Sequence, residues 1–200
     1  MRYSARIALL VIAISAGACS ENLDPKTPDG ALHVFRDALE SRNYELMVKL
    51  CSKATRDALH ASVELIGKQA DGFKSYPPEY RIGALGIYPR RVLKAKTPAS
   101  LLAAFLHVRL NQYPPSAGTR FGLSTATNPV VANGGASIMT HSGENITLIR
   151  EGEDWRTTAF EQTVLQNYER IKANERILTE NLATLKKYPK PKPSAPPAAP

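Results

Sequence analysis

The sequence predicts an α+β fold in which N-terminal helices pack on a curved antiparallel sheet and a long C-terminal helix follows. Three observations carry this. Ala31, Leu32, Phe35, Ala38 and Leu39 recur at helical spacing early in the chain. After Pro114-Pro115 the character changes to short β-rich runs separated by turn residues. From Glu161 onward, Val164, Tyr168, Ile171, Leu178, Leu182 and Leu185 form an amphipathic stripe of about three heptads, with Glu175 at the skipped seam position.

The elements follow in order. Thr27-Pro28-Asp29 is a helix start: a capping hydroxyl, proline at the first helical position and an acid in the first turn. Ser41-Arg42-Asn43 interrupts the pattern, and Tyr44 to Leu50 forms a second helix. Ser52 caps a third, whose buried stripe is Ala54, Ala58, Leu59, Val63 and Ile66. Gly67 to Pro78 loosens the chain, and Glu79 to Tyr88 reads as a strand. Thr97-Pro98 repeats the cap-plus-proline start, so Ala99 to Asn111 is a fourth helix. Four strands are then expected: Thr119–Thr127, Val130–His141 with a break or bulge at Asn133-Gly134-Gly135, Asn145–Glu151 and Trp155–Phe160. Trp155 should lie on the sheet against the first or fourth helix.

The first twenty residues carry an address. Arg2 and Arg6 precede the apolar run Ile7 to Ile14, and Ser15-Ala16-Gly17-Ala18-Cys19 follows. A basic start, a short apolar core and small residues before a cleavage point are the marks of an export signal. The apolar run is too short to span a bilayer, which needs roughly 20 apolar residues. Cysteine after Ala-Gly-Ala resembles a bacterial lipobox, with Cys19 lipidated and made the mature N-terminus. Ala16 departs from that pattern, which prefers Leu, Val or Ile there. The competing reading is an ordinary signal cut near Ala18. Ser20 after the cysteine resembles lipoproteins routed to the outer membrane, facing the periplasm. The expected organisation is a signal over 1–18, a lipidated cysteine and tether over 19–26, a domain over 27–160, a helix over 161–188 and a Pro/Lys-rich disordered tail over 189–200.

The chain is 200 residues long with a formal net charge of +8. Setting aside Arg2, Arg6, Lys186, Lys187, Lys190 and Lys192 leaves the 20–185 segment nearly neutral, which argues against a nucleic-acid partner. The tail lysines predict weak attraction to anionic lipid or cell-wall material. With Cys19 lipidated, Cys51 has no disulfide partner and reads as a small buried apolar residue on a helix.

Chemistry is sparse. His33, His60, His107 and His141 are scattered, without metal-ligand spacing, so neither a metal nor another cofactor is expected. There is no phosphate loop, dinucleotide fingerprint or nucleophile elbow. The candidate inward-facing polar residues are Tyr44, Asp57, His60, Tyr80, His107 and Arg109. Tyr44, His60, Tyr80 and His107 form the candidate ligand-binding set, each with a plain reading as a core-edge or surface residue. Asp57 and His60 have the i,i+3 spacing of a helical dyad, a pairing common on ordinary helices. Tyr76, Tyr88, Tyr113 and Tyr188 each precede proline and read as punctuation; a stacking role would need several of them to converge.

Two local patterns resemble nuclear-transport-factor-2-like lipoproteins. One is Thr27-Pro28-Asp29-Gly30-Ala31-Leu32-His33-Val34-Phe35 with Ala38-Leu39, Tyr44 and then Leu50-Cys51-Ser52. The other is Ile146 to Arg156, a hairpin whose turn precedes Trp155. The resemblance covers residues 27–160, and the long last helix departs from the usual pattern. It implies a cone-like curved sheet around helices, in a family holding isomerases, dehydratases and many non-catalytic binding domains, so fold alone does not decide function. The expected function is a non-enzymatic binding or interaction module of the bacterial cell envelope, held to a membrane by lipid on Cys19. The stripe of the C-terminal helix is expected to pack on its own domain, with a coiled-coil dimer as the alternative that Glu175 opposes, and a protein partner would meet this helix. The alternative is a small-molecule carrier or an isomerase- or dehydratase-like enzyme using the cone interior. A pocket of a few hundred Å³ holding inward titratable groups would favour the alternative; an interior filled by Leu, Ile and Phe would oppose it.

Overall fold

The computed structural model describes residues 24–78, 80, 88–112, 128–141, 143 and 145–187. Over these residues the protein is α+β, with six helices and a four-stranded antiparallel sheet. The helices are α1 (Pro28–Glu40), α2 (Tyr44–Leu50), α3 (Lys53–Lys74), α4 (Arg90–Lys94), α5 (Pro98–Gln112) and α6 (Glu161–Lys187). The strands are β1 (Val130–Ala132), β2 (Gly135–Met139), β3 (Asn145–Glu151) and β4 (Asp154–Thr157), adjacent in chain order.

Local chemistry sets the helix boundaries. Thr27 caps α1, its hydroxyl accepting from the Gly30 N–H at 3.1 Å. α1 ends in a Schellman turn: Asn43 N–H donates to the Ala38 carbonyl at 2.8 Å and Arg42 N–H to Leu39 at 3.2 Å. Arg42 occupies the left-handed position at φ 54°, where glycine would cost less. Asn43 and Ser52 cap α2 and α3 in turn. Residues 24–26, expected as tether, fold back on α1. The Asp24 carbonyl lies where a Cβ on Gly30 would be, 2.1 Å from it, so only glycine fits there.

The main core fills the space between helices and sheet. β2 and β3 alternate cleanly, turning Ala136, Ile138, Ile146 and Leu148 inward. They meet Phe35, Met47, Leu59, Ile66 and Trp155 from the surrounding elements. α5 carries Leu101 and Leu102, both fully buried, and packs against α2, α3 and α4. β4 packs on α1 and α2, and Trp155 is 7% exposed, as the sequence pattern predicts. Phe35 and Phe160 stack tilted, with centroids 5.6 Å apart.

α3 and α6 run side by side in the same direction. The Gln69 amide donates to the Ile171 carbonyl and the Tyr76 hydroxyl to the Leu178 carbonyl, at 2.8 and 2.7 Å. From Gln69 in α3 to Tyr76 just past its end, and from Ile171 to Leu178 in α6, both chains advance seven residues. A second, smaller cluster closes the far end, where Phe73, Tyr76 and Leu178 are joined by Tyr80, Leu93, Leu182 and Leu185.

Several expectations are corrected. α3 does not loosen at Gly67 but continues to Lys74, because Gln69 and Phe73 are buried against α6 and the second cluster and tertiary packing overrides two exposed-side glycines. Tyr80 is not in a strand: its N–H closes a helical turn on the Pro77 carbonyl at 3.0 Å. The rest of that expected strand, 81–87, and the expected strand Thr119–Thr127 lie outside the described residues. Of the break or bulge expected at Asn133-Gly134-Gly135, the structure shows the break: Asn133-Gly134 is a two-residue hairpin turn. Both residues have positive φ, 50° and 75°, as a type I′ turn requires, and the run splits into β1 and β2. The last strand stops at Thr157. Cys51 sits in an extended link after α2, bridged to Thr157, and not on a helix.

Candidate functional site

The four candidate ligand residues are not gathered into one site. Tyr44 is half-buried against the main core. Tyr80 is half-buried against the second cluster. His60 is exposed on α3, and His107 is half-buried on α5. Asp57 and His60 form no dyad. Lys53 bonds the Asp57 carboxylate instead and holds it below the usual range, with Arg56 and His60 adding positive charge. Arg109 lies in α5, and its side chain is outside the description. Tyr76 and Tyr88 do converge, but on α6: burial raises both hydroxyls above their ordinary value, and that of Tyr88 faces Asn174 and Gln69.

Two hollows flank α6. One, of about 70 Å³ between α3 and α6, is lined by Gln69, Phe73, Tyr76 and Leu178 among others. That is well below the roughly 300–1,000 Å³ of metabolite pockets. The other, of about 400 Å³, is a shallow dish open to solvent at Thr158, Glu161 and Leu165. No cluster of metal-ligating side chains occurs among the described residues, and no described helix is long and apolar enough to cross a membrane.

Polar groups instead collect at the two ends of α3. At its start, the Glu151 carboxylate takes the Lys53 N–H at 2.5 Å and the Arg56 guanidinium at 2.8 Å. Burial raises the Glu151 pKa, but these two donors outweigh it and hold the carboxyl below the usual range. Ser52 accepts from the Thr55 N–H at 3.2 Å and donates to Glu161 at the start of α6; its own N–H donates to the Thr157 carbonyl at 2.9 Å. Ser52, Thr55 and Cys51 are fully buried here. Burial pushes the Cys51 thiol up to about 12, against the lowering pull of Arg56, so it is a packed and unreactive group. This junction joins α3, α6 and the sheet.

The other end differs. Leu93 on α4, like Leu182 and Leu185 of α6, packs against the second cluster of Phe73, Tyr76 and Leu178. α4, with exposed Arg90, Arg91 and Lys94, therefore packs near the end of α3. Lys96 lies near enough to Asp71 to help lower its carboxyl, after the larger effect of Lys74. Among the described residues Arg90, Arg91 and Lys94 form no ion pair, whereas Asp71 and Glu180 are already paired, with Lys74 and Arg176. This basic end was missed because averaging charge over 20–185 hides its segregation. Between Glu79 and Glu144 the chain has seven basic residues and no Asp or Glu. That run is the signal that could have revealed it.

The apolar stripe of α6 faces its own domain. Val164, Ile171 and Leu178 are buried, while Leu165 and Ile177 remain exposed on other sides. No family model matches the chain, and neither a curated protein nor a solved structure does.

Proposed function

We propose that this is an exported envelope lipoprotein, anchored through Cys19, that works as a non-enzymatic binding module through its surface. The observation that supports it most is the filled interior. Phe35, Leu59, Ile66, Leu102, Ile138 and Leu148 occupy the space between helices and sheet where a ligand would sit. The isomerase- or carrier-like alternative needs inward titratable groups around a metabolite-sized cavity, and Tyr44, His60, Tyr80 and His107 do not supply them. The nuclear-transport-factor-2-like relationship of residues 27–160 belongs to this proposal. In its favour are helices that precede the antiparallel sheet and a final hairpin that buries Trp155.

Anchoring has a direct test. Wild-type protein expressed in a bacterial host should incorporate a radiolabelled fatty acid and sediment with membranes, and Cys19→Ala should lose both. Membrane retention unchanged in the variant, with no label in the wild type, would refute the lipoprotein reading.

A further inference from the structure

We infer that the hollow between α3 and α6 is a binding site for a primary alkylammonium group, with Glu175 and Gln69 as its acceptors. The inference does not depend on the envelope reading above, and its failure would leave that reading untouched.

α6 carries a carboxylate in its apolar seam. Ile171 and Leu178 are buried, and their carbonyls take hydrogen bonds from Gln69 and Tyr76, so this side of α6 faces α3. Glu175 lies four residues after Ile171 and three before Leu178. That spacing puts its side chain on the same helix face, where the stripe calls for an apolar residue. Glu175 is half-buried and forms no ion pair among the described residues; its neighbours Lys172 and Arg176 pair with Glu169 and Glu180. A carboxylate drawn partly out of water without a partner is unfavourable for stability.

α3 presents a second acceptor opposite. Gln69 is 3% exposed. Its amide N–H donates to the Ile171 carbonyl at 2.8 Å, while its Oε1 is buried and has no hydrogen-bond partner among the described residues. An orphaned buried carbonyl oxygen costs free energy as well. Both residues line the hollow of about 70 Å³, together with Phe73, Tyr76 and Leu178. The two rings are tilted, with centroids 6.3 Å apart.

Size and wall chemistry select the occupant. A water takes roughly 30 Å³ of liquid volume, so the space suits an ammonium with one or two methylenes and no larger head group. Two acceptors, one of them anionic, call for a cationic donor, and an ammonium brings three N–H groups and no acceptor. Aromatic rings beside them favour a cation over a neutral group, and an anion would be repelled by Glu175. Lys68 also lines the hollow, but its side chain is exposed and makes no ion pair with Glu175. It is a rival cation at the rim.

The test titrates the full chain with n-butylammonium chloride, followed by NMR through the Gln69 side-chain amide and the Tyr76 ring. n-Butanol and sodium butyrate serve as neutral and anionic probes of the same length. Butylammonium should shift these signals saturably, and the other two should not. Glu175→Gln should weaken butylammonium binding by about tenfold or more, the range for losing a hydrogen-bonded charge. Lys68→Ala should strengthen it by removing the rival cation. Glu175→Leu completes the apolar stripe, so it should abolish binding and raise the melting temperature, which also shows that the variant is folded. A lysyl tripeptide and its Nε-acetylated form separate the sources of the ammonium. Lysyl peptide binding more tightly than butylammonium, and lost on acetylation, supports the site with the ammonium on a side chain of a larger partner. Tighter binding of butylammonium supports it with a free small amine. The inference is overturned if butylammonium leaves the signals unmoved, if butanol binds as well, or if Glu175→Gln binds unchanged. It is also overturned if Glu175→Leu lowers the melting temperature, which would make the carboxylate a partner in the fold and not a ligand group.

Discussion

The two ends of α3 hold similar numbers of polar groups and use them in opposite ways. At the start, Ser52, Thr55, Glu151, Arg56 and Glu161 are hydrogen-bonded across three elements, with Ser52–Glu161 and Arg56–Glu151 joining residues distant in sequence. At the finish, packing rests on a small apolar cluster and a hydrogen bond to a helix carbonyl, while the cations face water. A buried charge must be paired, because desolvation penalises it. An exposed one can be left open. Paired polar groups therefore specify the fold at one end, whereas at the other Arg90, Arg91 and Lys94 lie exposed and form no ion pair among the described residues.

Three measurements would sharpen or break this contrast. The largest effect should come from the core that underlies the first end. Trp155→Ala removes an indole packed where β4 meets α1 and α2, and should cost about 3–5 kcal/mol in denaturant unfolding. A cost under about 1 kcal/mol would mean that the indole does not anchor the sheet.

Next comes Glu151→Gln, which keeps the shape but weakens the bonds to Lys53 and Arg56. A loss of about 1.5–3 kcal/mol is expected at neutral pH, the range for hydrogen bonds involving charged groups. The pH dependence carries a definite sign. The folded pKa of Glu151 is depressed, so its contribution is complete above the ordinary carboxylate value of 4.5 and is lost as pH falls through the lower folded value. Wild type and variant should therefore converge in stability on acidification. A gap that stays constant from neutral pH down to about pH 2 would show that the carboxylate charge is not what matters at this junction.

The smallest change is expected at the far end. Tyr76→Phe deletes the hydroxyl bonded to the Leu178 carbonyl but keeps the ring in its cluster. The Leu178 carbonyl lies within a helix, so about 1 kcal/mol should be lost. Hydrogen exchange should quicken first in the last turns of α6. A loss larger than that of Glu151→Gln would reverse the comparison.

Much of the fold was legible because it is written in local chemistry. Thr27 and Ser52 cap helices at the positions their hydroxyl groups predict, and the β3 run Asn145–Glu151 alternates with period two. The misses share a cause. α3 passes Gly67 and Gly72 because α6, 102 residues downstream, covers Gln69 and Tyr76. α4 is five residues long and buries only Val92, too little for a periodic signal. Tyr80 and Tyr44 could not be assigned to a common site from spacing, because each joins a different apolar cluster.

The sequence by itself determined the α+β class, most helix starts, the three-strand run from Gly135 to Thr157 and the apolar stripe of α6. Capping, turn geometry and side-chain periodicity act over a few residues, so they survive without knowledge of the rest of the chain. Only the tertiary structure decided that the stripe turns onto α3, and that Ser52 is tied to Glu161. It also decided that α4 carries its cations to the end remote from Asp24. Those outcomes depend on which distant surfaces meet, and burial free energy is gained only when they do.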